Sequence, residues 1–279
     1  MLRALVTDVV LTRRVPARVA ERLGPPRKPG SAAYRWRQAE LVARALDSPE
    51  LMRAFERGER LPDGFGVGLD ERVVEFPWVL AQPLSGRLLD AGATLNHAHV
   101  LARVLPRVQS LTIATLEENA RFDQRYSYVL ADVRELPFRD GWFDTLVSIS
   151  TLEHVGMDNT TYGVGEPRAG DPDAELRASL AELRRVLAPG GTMLITVPYG
   201  RAEDHGWLRQ FDRAGIDALI EAAAPSESSV TVYAYSRAGW QLSDLEAAAG
   251  ARFRDRPWPE RLPDLATAAR AVACIRLTC

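Results

Sequence analysis

Four histidines are the side chains of this sequence best suited to acid–base chemistry, and each follows a predicted β-strand. His97 and His99 come after the first predicted strand, His154 after the fourth and His205 after the fifth. Imidazole changes charge near neutral pH and can accept a proton from a reacting group. Ligands of open α/β sheets bind beyond the carboxyl ends of the strands. The positions predict a functional pocket there, with a surface or helix-cap role as the alternative for any one histidine.

The elements that must position this pocket alternate between short apolar strands and amphipathic helices. Strands are predicted at 87–92, 111–116, 126–131, 143–149 and 192–197, with two later strands at 230–235 and 271–277. One helix is predicted at 96–105 with Asn96 as its N-cap. Another begins at Asp171-Pro172 and ends before Pro189-Gly-Gly191. This alternation predicts an α/β fold, a doubly wound Rossmann-like sheet of seven mostly parallel strands.

Residues 1–80 are predicted to form an N-terminal helical appendage to the sheet domain at 81–279. Residues 31–60 carry an apolar helical stripe, and Ser48-Pro49 is a helix start. Pro77 argues against a central strand in the apolar run that contains it. The Gly- and Pro-rich stretch 163–173 is predicted to be a lid loop over the pocket.

Composition excludes several other functions. Lys28 is the single lysine among 35 basic residues and lies between prolines and glycines, which disfavours Schiff-base chemistry. A net charge of −2 with interspersed arginines argues against a nucleic-acid partner. Cys274 and Cys279 form neither a disulfide framework nor a zinc motif, and the apolar runs are too short for a membrane span. We therefore expect a cytoplasmic protein with no metal and no membrane partner.

Two stretches carry a specific family resemblance. One runs from Ala131 to Asp144 and contains Asp132 and Leu136-Pro-Phe138, and the other runs from Leu183 to Thr196 across the Pro-Gly-Gly turn. In this order and at this separation they resemble the class I S-adenosylmethionine-dependent methyltransferases, over about residues 86–200. The later segments 151–160 and 197–200 resemble the methyltransferase-11 type found in sugar and natural-product tailoring, including antibiotic biosynthesis.

The resemblance implies a binding site for S-adenosylmethionine, with S-adenosylhomocysteine as the product. The implied cofactor-binding residues are Asp90, Ala91, Gly92, Asn96, Thr115, Glu117, Asp132, Val133 and Ser150. Of the family's glycine motif only Gly92 is retained, so Ala93, Thr94 and Asn96 must form the turn. Among these three, Asn tolerates the left-handed conformation best.

Two acids of the implied cofactor site have alternatives. Thr115 stands where the family carries the acid that binds the ribose, so Glu117 or Glu118 takes that role instead. Asp132 is implied to accept a hydrogen bond from the adenine amine. Its structural alternative is a turn or N-cap aspartate.

Methyl transfer from a sulfonium is an in-line displacement that needs alignment and, for a hydroxyl acceptor, a base. His154 is the first candidate base. His205 is the second, with Glu203 or Asp204 to orient it. The implied substrate-side residues are Glu153, Tyr199, Trp207 and Trp78, and core packing is the alternative for Trp78.

The predicted function is therefore methyl transfer from S-adenosylmethionine to a hydroxyl of a small molecule, a sugar or secondary-metabolite intermediate. N-methylation of a small-molecule amine is the alternative reaction. A non-catalytic module with a degenerate cofactor site is the alternative of another class, because two motif glycines are missing. The acceptor, the methylated atom and the oligomeric state stay open, with a homodimer as one option.

Overall fold

A computed structural model of the protein describes residues 31–117, 123–160, 163, 168, 170–254 and 269–279. Lys28, Glu118 and residues 164–167 and 169 of the predicted lid stretch lie outside these residues. The helices are α1 (Ala32–Asp47), α2 (Pro49–Arg57), α3 (Arg72–Ala81), α4 (Ala98–Val104), α5 (Pro172–Val186) and α6 (Arg213–Ala223). The strands are β1 (Arg87–Ala91), β2 (Ser110–Thr115), β3 (Ser127–Leu130), β4 (Phe143–Ile149), β5 (Leu187–Pro198), β6 (Glu203–Asp204), β7 (Arg209–Gln210), β8 (Glu227–Ser236), β9 (Gly239–Ser243) and β10 (Ala271–Thr278).

In the part of the chain that the structure describes, eight strands form one sheet in the order β3-β2-β1-β4-β5-β10-β8-β9. The five strands from β3 to β5 pair in parallel, and β10 runs antiparallel to both β5 and β8. The predicted α/β fold with its mostly parallel sheet is confirmed. The sequence prediction missed β9, a short strand that follows β8 through a tight turn and pairs antiparallel with it. Strand order reverses between β1 and β4, which is where ligands of such sheets bind.

Helices cover both faces of the sheet, as a doubly wound fold requires. Leu88 of β1 packs in the core of one face together with residues of α1 to α4. Its neighbour Leu89 packs in the core of the other face with Leu180 of α5 and Ile216 of α6. This alternation along the strand follows from the two-residue period of β-structure. Among the described residues, the helices are too short or too polar to cross a membrane.

Helix caps were predicted with mixed success. The Asp171 side chain accepts from the Asp173 backbone N–H at 2.9 Å, which caps α5 as predicted, and Ser48 caps α2 in the same way. The predicted N-cap at Asn96 is wrong, because α4 begins after His97. The Asn96 side-chain oxygen instead accepts a hydrogen bond from the Tyr126 hydroxyl at 3.1 Å. Asn96 is thus used for a tertiary contact.

Pro77 lies inside helix α3. This confirms the prediction that the apolar run around Pro77 does not form a central strand. Every residue from Val73 to Leu80 is buried. Trp78 belongs to the same core as Leu88 of β1 and Val147 of β4. The N-terminal helices and the sheet therefore share one hydrophobic core, and the division of the chain at residue 80 stays a prediction.

Candidate active site

The turn after β1 is organised by a buried carboxyl group. Asp90 is fully buried, and its Oδ2 accepts from the Leu95 backbone N–H at 2.9 Å. Its Oδ1 is buried without a hydrogen-bond partner. Burial raises the pKa of Asp90 to about 7, although hydrogen bonds from the backbone of Leu95 and Thr94 lower it. Asp90 therefore shapes this loop and keeps one spare acceptor for a positively charged or hydrogen-bonding ligand.

The same turn is packed directly against the segment that follows β4. Gly92 has φ 120°, and a Cβ atom at this position would lie 2.1 Å from the Thr151 Oγ1. Ala93 takes the left-handed conformation at φ 62°, so the expectation that Asn96 would suit it best is not met. The Thr94 hydroxyl donates to the Ile149 carbonyl oxygen at 2.9 Å. The turn thus forms without the second and third glycines of the family motif.

At the ends of β2 and β3, polar groups are held by short-range contacts. The Thr115 Oγ1 accepts from the Glu117 backbone N–H at 3.3 Å, and the Glu117 side chain is exposed. The Asp132 carboxylate accepts from the Arg134 Nε at 2.9 Å and Nη2 at 2.6 Å. Burial raises the pKa of Asp132, but Arg134 outweighs this and brings it below its ordinary value. Asp132 therefore has the turn role that was given as its structural alternative. Its role as the acceptor for the adenine amine stays a prediction.

A carboxylate from α3 holds the ends of β4 and β5 together. Glu75 is fully buried, and its Oε1 accepts from the Ser150 hydroxyl at 2.6 Å and the Thr196 hydroxyl at 2.7 Å. Its Oε2 pairs with the Arg72 guanidinium. Ser150 has φ 44°, a left-handed conformation that is uncommon outside glycine. Nothing in the local sequence marks Glu75, because its partners are far away along the chain.

His154 lies in the 3-10 turn Leu152–His154, directly after β4. Its Nδ1 is 2.9 Å from the Trp207 carbonyl oxygen. A carbonyl oxygen only accepts, so in the neutral ring Nδ1 carries the proton and Nε2 is the nitrogen with the acceptor lone pair. Burial lowers the pKa of His154, although the bond to Trp207 opposes the shift. The neutral imidazole thus presents a basic nitrogen near neutral pH.

Glu153 adds a buried carboxyl group beside this histidine. It is 3% exposed, and burial raises its pKa to about 8. Its Oε1 is 4.0 Å from the His154 Nε2, and its Oε2 has no hydrogen-bond partner. At neutral pH, the Glu153 carboxyl is therefore largely protonated.

An aromatic row connects the two predicted catalytic histidines. The His154 and Trp207 rings lie 5.5 Å apart, and the Trp207 and Phe253 rings 6.0 Å apart. Phe253 also lies 5.1 Å from the His205 ring. The Glu203 Oε2 is 3.4 Å from the His205 Nε2, whereas Asp204 pairs with Arg168. The structure thus brings the two histidines to one row, and it adds Phe253, which no local motif indicated.

The other predicted residues lie further inside the protein or at the rim. Trp78 is buried in the core, and the hydroxyl of the buried Tyr199 donates to the Leu245 carbonyl oxygen at 2.6 Å. His97 and His99 have ring centroids 5.7 Å apart, and burial lowers the pKa of His99 to about 4. Ala91 is buried at the end of β1, and Val133 is partly buried beside Asp132. The roles given to Trp78, Tyr199, Ala91 and Val133 stay predictions.

A comparison with family models finds a match over residues 98–195, to the family described as a methyltransferase domain. Residues 98–195 therefore match a methyltransferase domain, and the resemblance of this part of the chain to the class I S-adenosylmethionine-dependent methyltransferases is confirmed. The matched domain supports an enzyme, a methyltransferase. No curated protein sequence matches the chain.

Several solved structures are similar to this chain. A 1,6-didemethyltoxoflavin-N1-methyltransferase from Burkholderia thailandensis is 19% identical, with 87% of each chain covered and a TM-score of 0.43. A possible histamine N-methyltransferase from Thermotoga maritima is 13% identical, with 86% of this chain and 98% of that chain covered and a TM-score of 0.45. A putative methyltransferase from Haloferax volcanii is 18% identical, with 71% and 86% covered and a TM-score of 0.43.

The residues at the ends of β1 and β2 fit the cofactor of this class. Asp90 offers a buried oxygen without a partner, and the positive φ angles of Gly92 and Ala93 bring backbone close to the site. Glu117 presents an exposed side chain after β2. Among the described residues, no cluster of His, Cys, Asp and Glu has the arrangement of a metal site.

Proposed function

We propose that the protein transfers the methyl group of S-adenosylmethionine to a hydroxyl of a small molecule, with His154 as the general base. The observation that carries this proposal is the bond from His154 Nδ1 to the Trp207 carbonyl oxygen. It assigns the ring tautomer and leaves Nε2 as the proton acceptor. A hydroxyl nucleophile needs such a base, whereas a neutral amine does not.

The cofactor is proposed to lie along the ends of β1 to β4. Asp90, Ala91, Gly92 and Asn96 would hold its amino-acid end, and Thr115 with Glu117 would hold the ribose. Asp132 and Val133 would contact the adenine, and Ser150 would lie near the sulfonium. The cofactor supplies an activated methyl group, so the protein has to align the acceptor and remove its proton.

The acceptor is proposed to lie beside Glu153 and the aromatic row. Trp207 offers a flat surface next to His154, which suits a sugar or a secondary-metabolite intermediate. His205 would serve at the far end of the row, oriented by Glu203. Trp78 and Tyr199 would support this wall from inside. A small molecule in the cytoplasm is the proposed substrate, and natural-product tailoring is the proposed context.

Substitution of His154 tests the base. His154→Ala should lower kcat by about 10²- to 10⁴-fold with a hydroxyl acceptor, because general-base catalysis contributes that much. His154→Asn is the matched control, since its amide N–H can still donate to the Trp207 carbonyl but it carries no basic nitrogen. We expect both variants to be equally slow. Wild-type turnover in His154→Asn would contradict the base and favour N-methylation.

Calorimetry with S-adenosylhomocysteine tests the cofactor site independently of any acceptor. We expect wild type and both His154 variants to bind with similar affinity, because His154 lies on the acceptor side. Absence of binding at millimolar concentration would contradict the proposed function as a whole.

A further inference from the structure

We propose that Arg209 is a positioning residue for the base of the reaction. It holds the β6–β7 hairpin against the segment that follows β4, so that the Trp207 carbonyl oxygen keeps the proton of His154 on Nδ1. This inference rests on the proposed function, because it concerns the group that removes the proton of the acceptor. Arg209 would act through the hairpin and not on the acceptor itself.

The hairpin that carries Trp207 is short. Strands β6 and β7 pair over two residues each, and the turn between them is closed by a hydrogen bond from the His205 backbone N–H to the Leu208 carbonyl oxygen at 2.9 Å. A two-stranded hairpin is only marginally stable by itself. Contacts with the rest of the protein must therefore set the position of the Trp207 carbonyl group.

The Arg209 side chain makes three such contacts. Its Nη2 donates to the Val155 carbonyl oxygen at 2.8 Å and to the Pro172 carbonyl oxygen at 2.7 Å. Its Nη1 donates to the Asp173 Oδ1 at 2.7 Å. Val155 follows His154 directly, and the other two residues begin α5. One guanidinium therefore connects β7, the segment after β4 and the N-terminus of α5.

The hairpin and the segment after β4 also meet on the other side of this contact. The His154 Nδ1 lies 2.9 Å from the Trp207 carbonyl oxygen, and the Asp158 backbone N–H donates to the Gly206 carbonyl oxygen at 2.9 Å. Without the Arg209 contact to the residue after His154, the two segments can separate. A shift of about 1 Å would take the bond to the ring out of hydrogen-bonding range.

The chemistry of arginine suits this positioning role. The Arg209 side chain is only 13% exposed, and a buried charge is tolerated only where it is paired and hydrogen-bonded. The guanidinium is planar and donates in fixed directions, so it holds its two backbone acceptors in a fixed geometry. A lysine carries the same charge at a single point on a flexible chain. Charge alone would therefore not replace Arg209.

Nitrogen-15 NMR of the imidazole rings tests this proposal without an acceptor. Spectra are recorded at about pH 8, where histidine is neutral, and the His154 signals are those that disappear in His154→Asn. We expect the wild-type proton on Nδ1. In Arg209→Met, the ratio of the Nδ1–H to the Nε2–H tautomer should fall at least about fivefold, because one typical hydrogen bond sets a ratio of that size. Binding of S-adenosylhomocysteine should be unchanged.

Two further variants accompany Arg209→Met. Arg213→Met is the matched control, because it removes an exposed arginine that pairs with Asp217 within α6, and it should leave the tautomer ratio of His154 unchanged. Arg209→Lys keeps the charge beside Asp173, but one ammonium cannot hold both carbonyl groups in the geometry of the guanidinium. We therefore expect a smaller fall in the ratio. This variant decides the question if Arg209→Met does not fold.

The outcomes separate this inference from the proposed function. An unchanged tautomer ratio in Arg209→Met, or in Arg209→Lys where the methionine variant does not fold, would overturn the positioning role. Loss of S-adenosylhomocysteine binding in both variants would also overturn it, because Arg209 would then support the domain as a whole. A wild-type His154 with its proton on Nε2 would instead contradict the base, and with it the proposed function.

Discussion

At the end of β3, Asp132 lies near the surface and pairs with Arg134, two residues away in the sequence. At the ends of β4 and β5, the central acid is buried, and its partners lie 75 and 121 residues away in Ser150 and Thr196. The adenine end of the cofactor half is thus built from a local turn, whereas the acceptor half is built by packing α3 against the sheet. Changes in α3 should therefore affect the acceptor half most.

The largest effect is expected for Glu75→Ala. Removing this carboxylate leaves Arg72 without its buried partner and two hydroxyls without an acceptor, which should cost about 3–5 kcal/mol of unfolding free energy. Urea denaturation measures the change. Glu75→Gln keeps the acceptor for both hydroxyls and should cost less than half as much. Equal losses in the two variants would show that only the ion pair matters.

Gly92→Ala should be the most damaging single change in the cofactor half. The residue has φ 120°, and the added Cβ would overlap Thr151, so strain and overpacking together should cost about 3 kcal/mol. Affinity for S-adenosylhomocysteine should fall at least tenfold by calorimetry. Gly64→Ala is the control, because Gly64 also has a positive φ but open space around it. Similar losses at both positions would argue against close packing at Gly92.

Glu153→Gln should change how stability depends on pH. The Glu153 pKa rises from 4.5 to about 8 on folding, so its contribution is fully present below pH 4.5 and lost as pH rises through 8. Within that window, wild type should lose up to about 1.4 kcal/mol per pH unit relative to the variant. The pKa of Asp90 is also raised, but equally in wild type and variant, so its contribution to the difference in stability cancels. Parallel stability curves from pH 5 to 8 would contradict the buried, protonated Glu153.

The smallest effect is expected at Asp132. If its carboxylate accepts from the adenine amine, Asp132→Asn should weaken S-adenosylhomocysteine binding by about 1 kcal/mol, the usual value of one hydrogen bond. Arg134→Met should strengthen binding or leave it unchanged, because the carboxylate is then free of its arginine. Weaker binding in Arg134→Met would show that the Asp132–Arg134 turn is itself required.

The fold was largely predictable because its signals are local. The Asp171-Pro172 start of α5 and the exact span of β4 follow from residues next to one another in the sequence. The prediction failed at Asn96, where a good N-cap residue is used by Tyr126, and at β9, a five-residue strand too short to show a clear pattern. At Asn96 a tertiary contact outweighs the local preference, whereas β9 is missed for lack of a local signal.

The candidate site was predictable only in part. His154 and Trp207 stand out because they follow strands, but the bond that fixes the His154 tautomer joins residues 53 positions apart. Glu75 sits in an apolar run where nothing marks it as the partner of Ser150. Phe253 completes the aromatic row from beyond β9. Such groups can be identified only once the fold is known.

The position of β9 has a consequence for the order of folding. The Trp240 ring N–H donates to the Leu69 carbonyl oxygen at 3.0 Å, and its backbone N–H donates to Phe65 at 2.8 Å. The β8–β9 hairpin therefore holds the segment that leads into α3, and β10 joins this hairpin to β5. We expect β1 to β5 to assemble early and the hairpin to dock only after β10 has been synthesised, because long-range contacts form late. The acceptor half of the candidate site should then be the last part to fold.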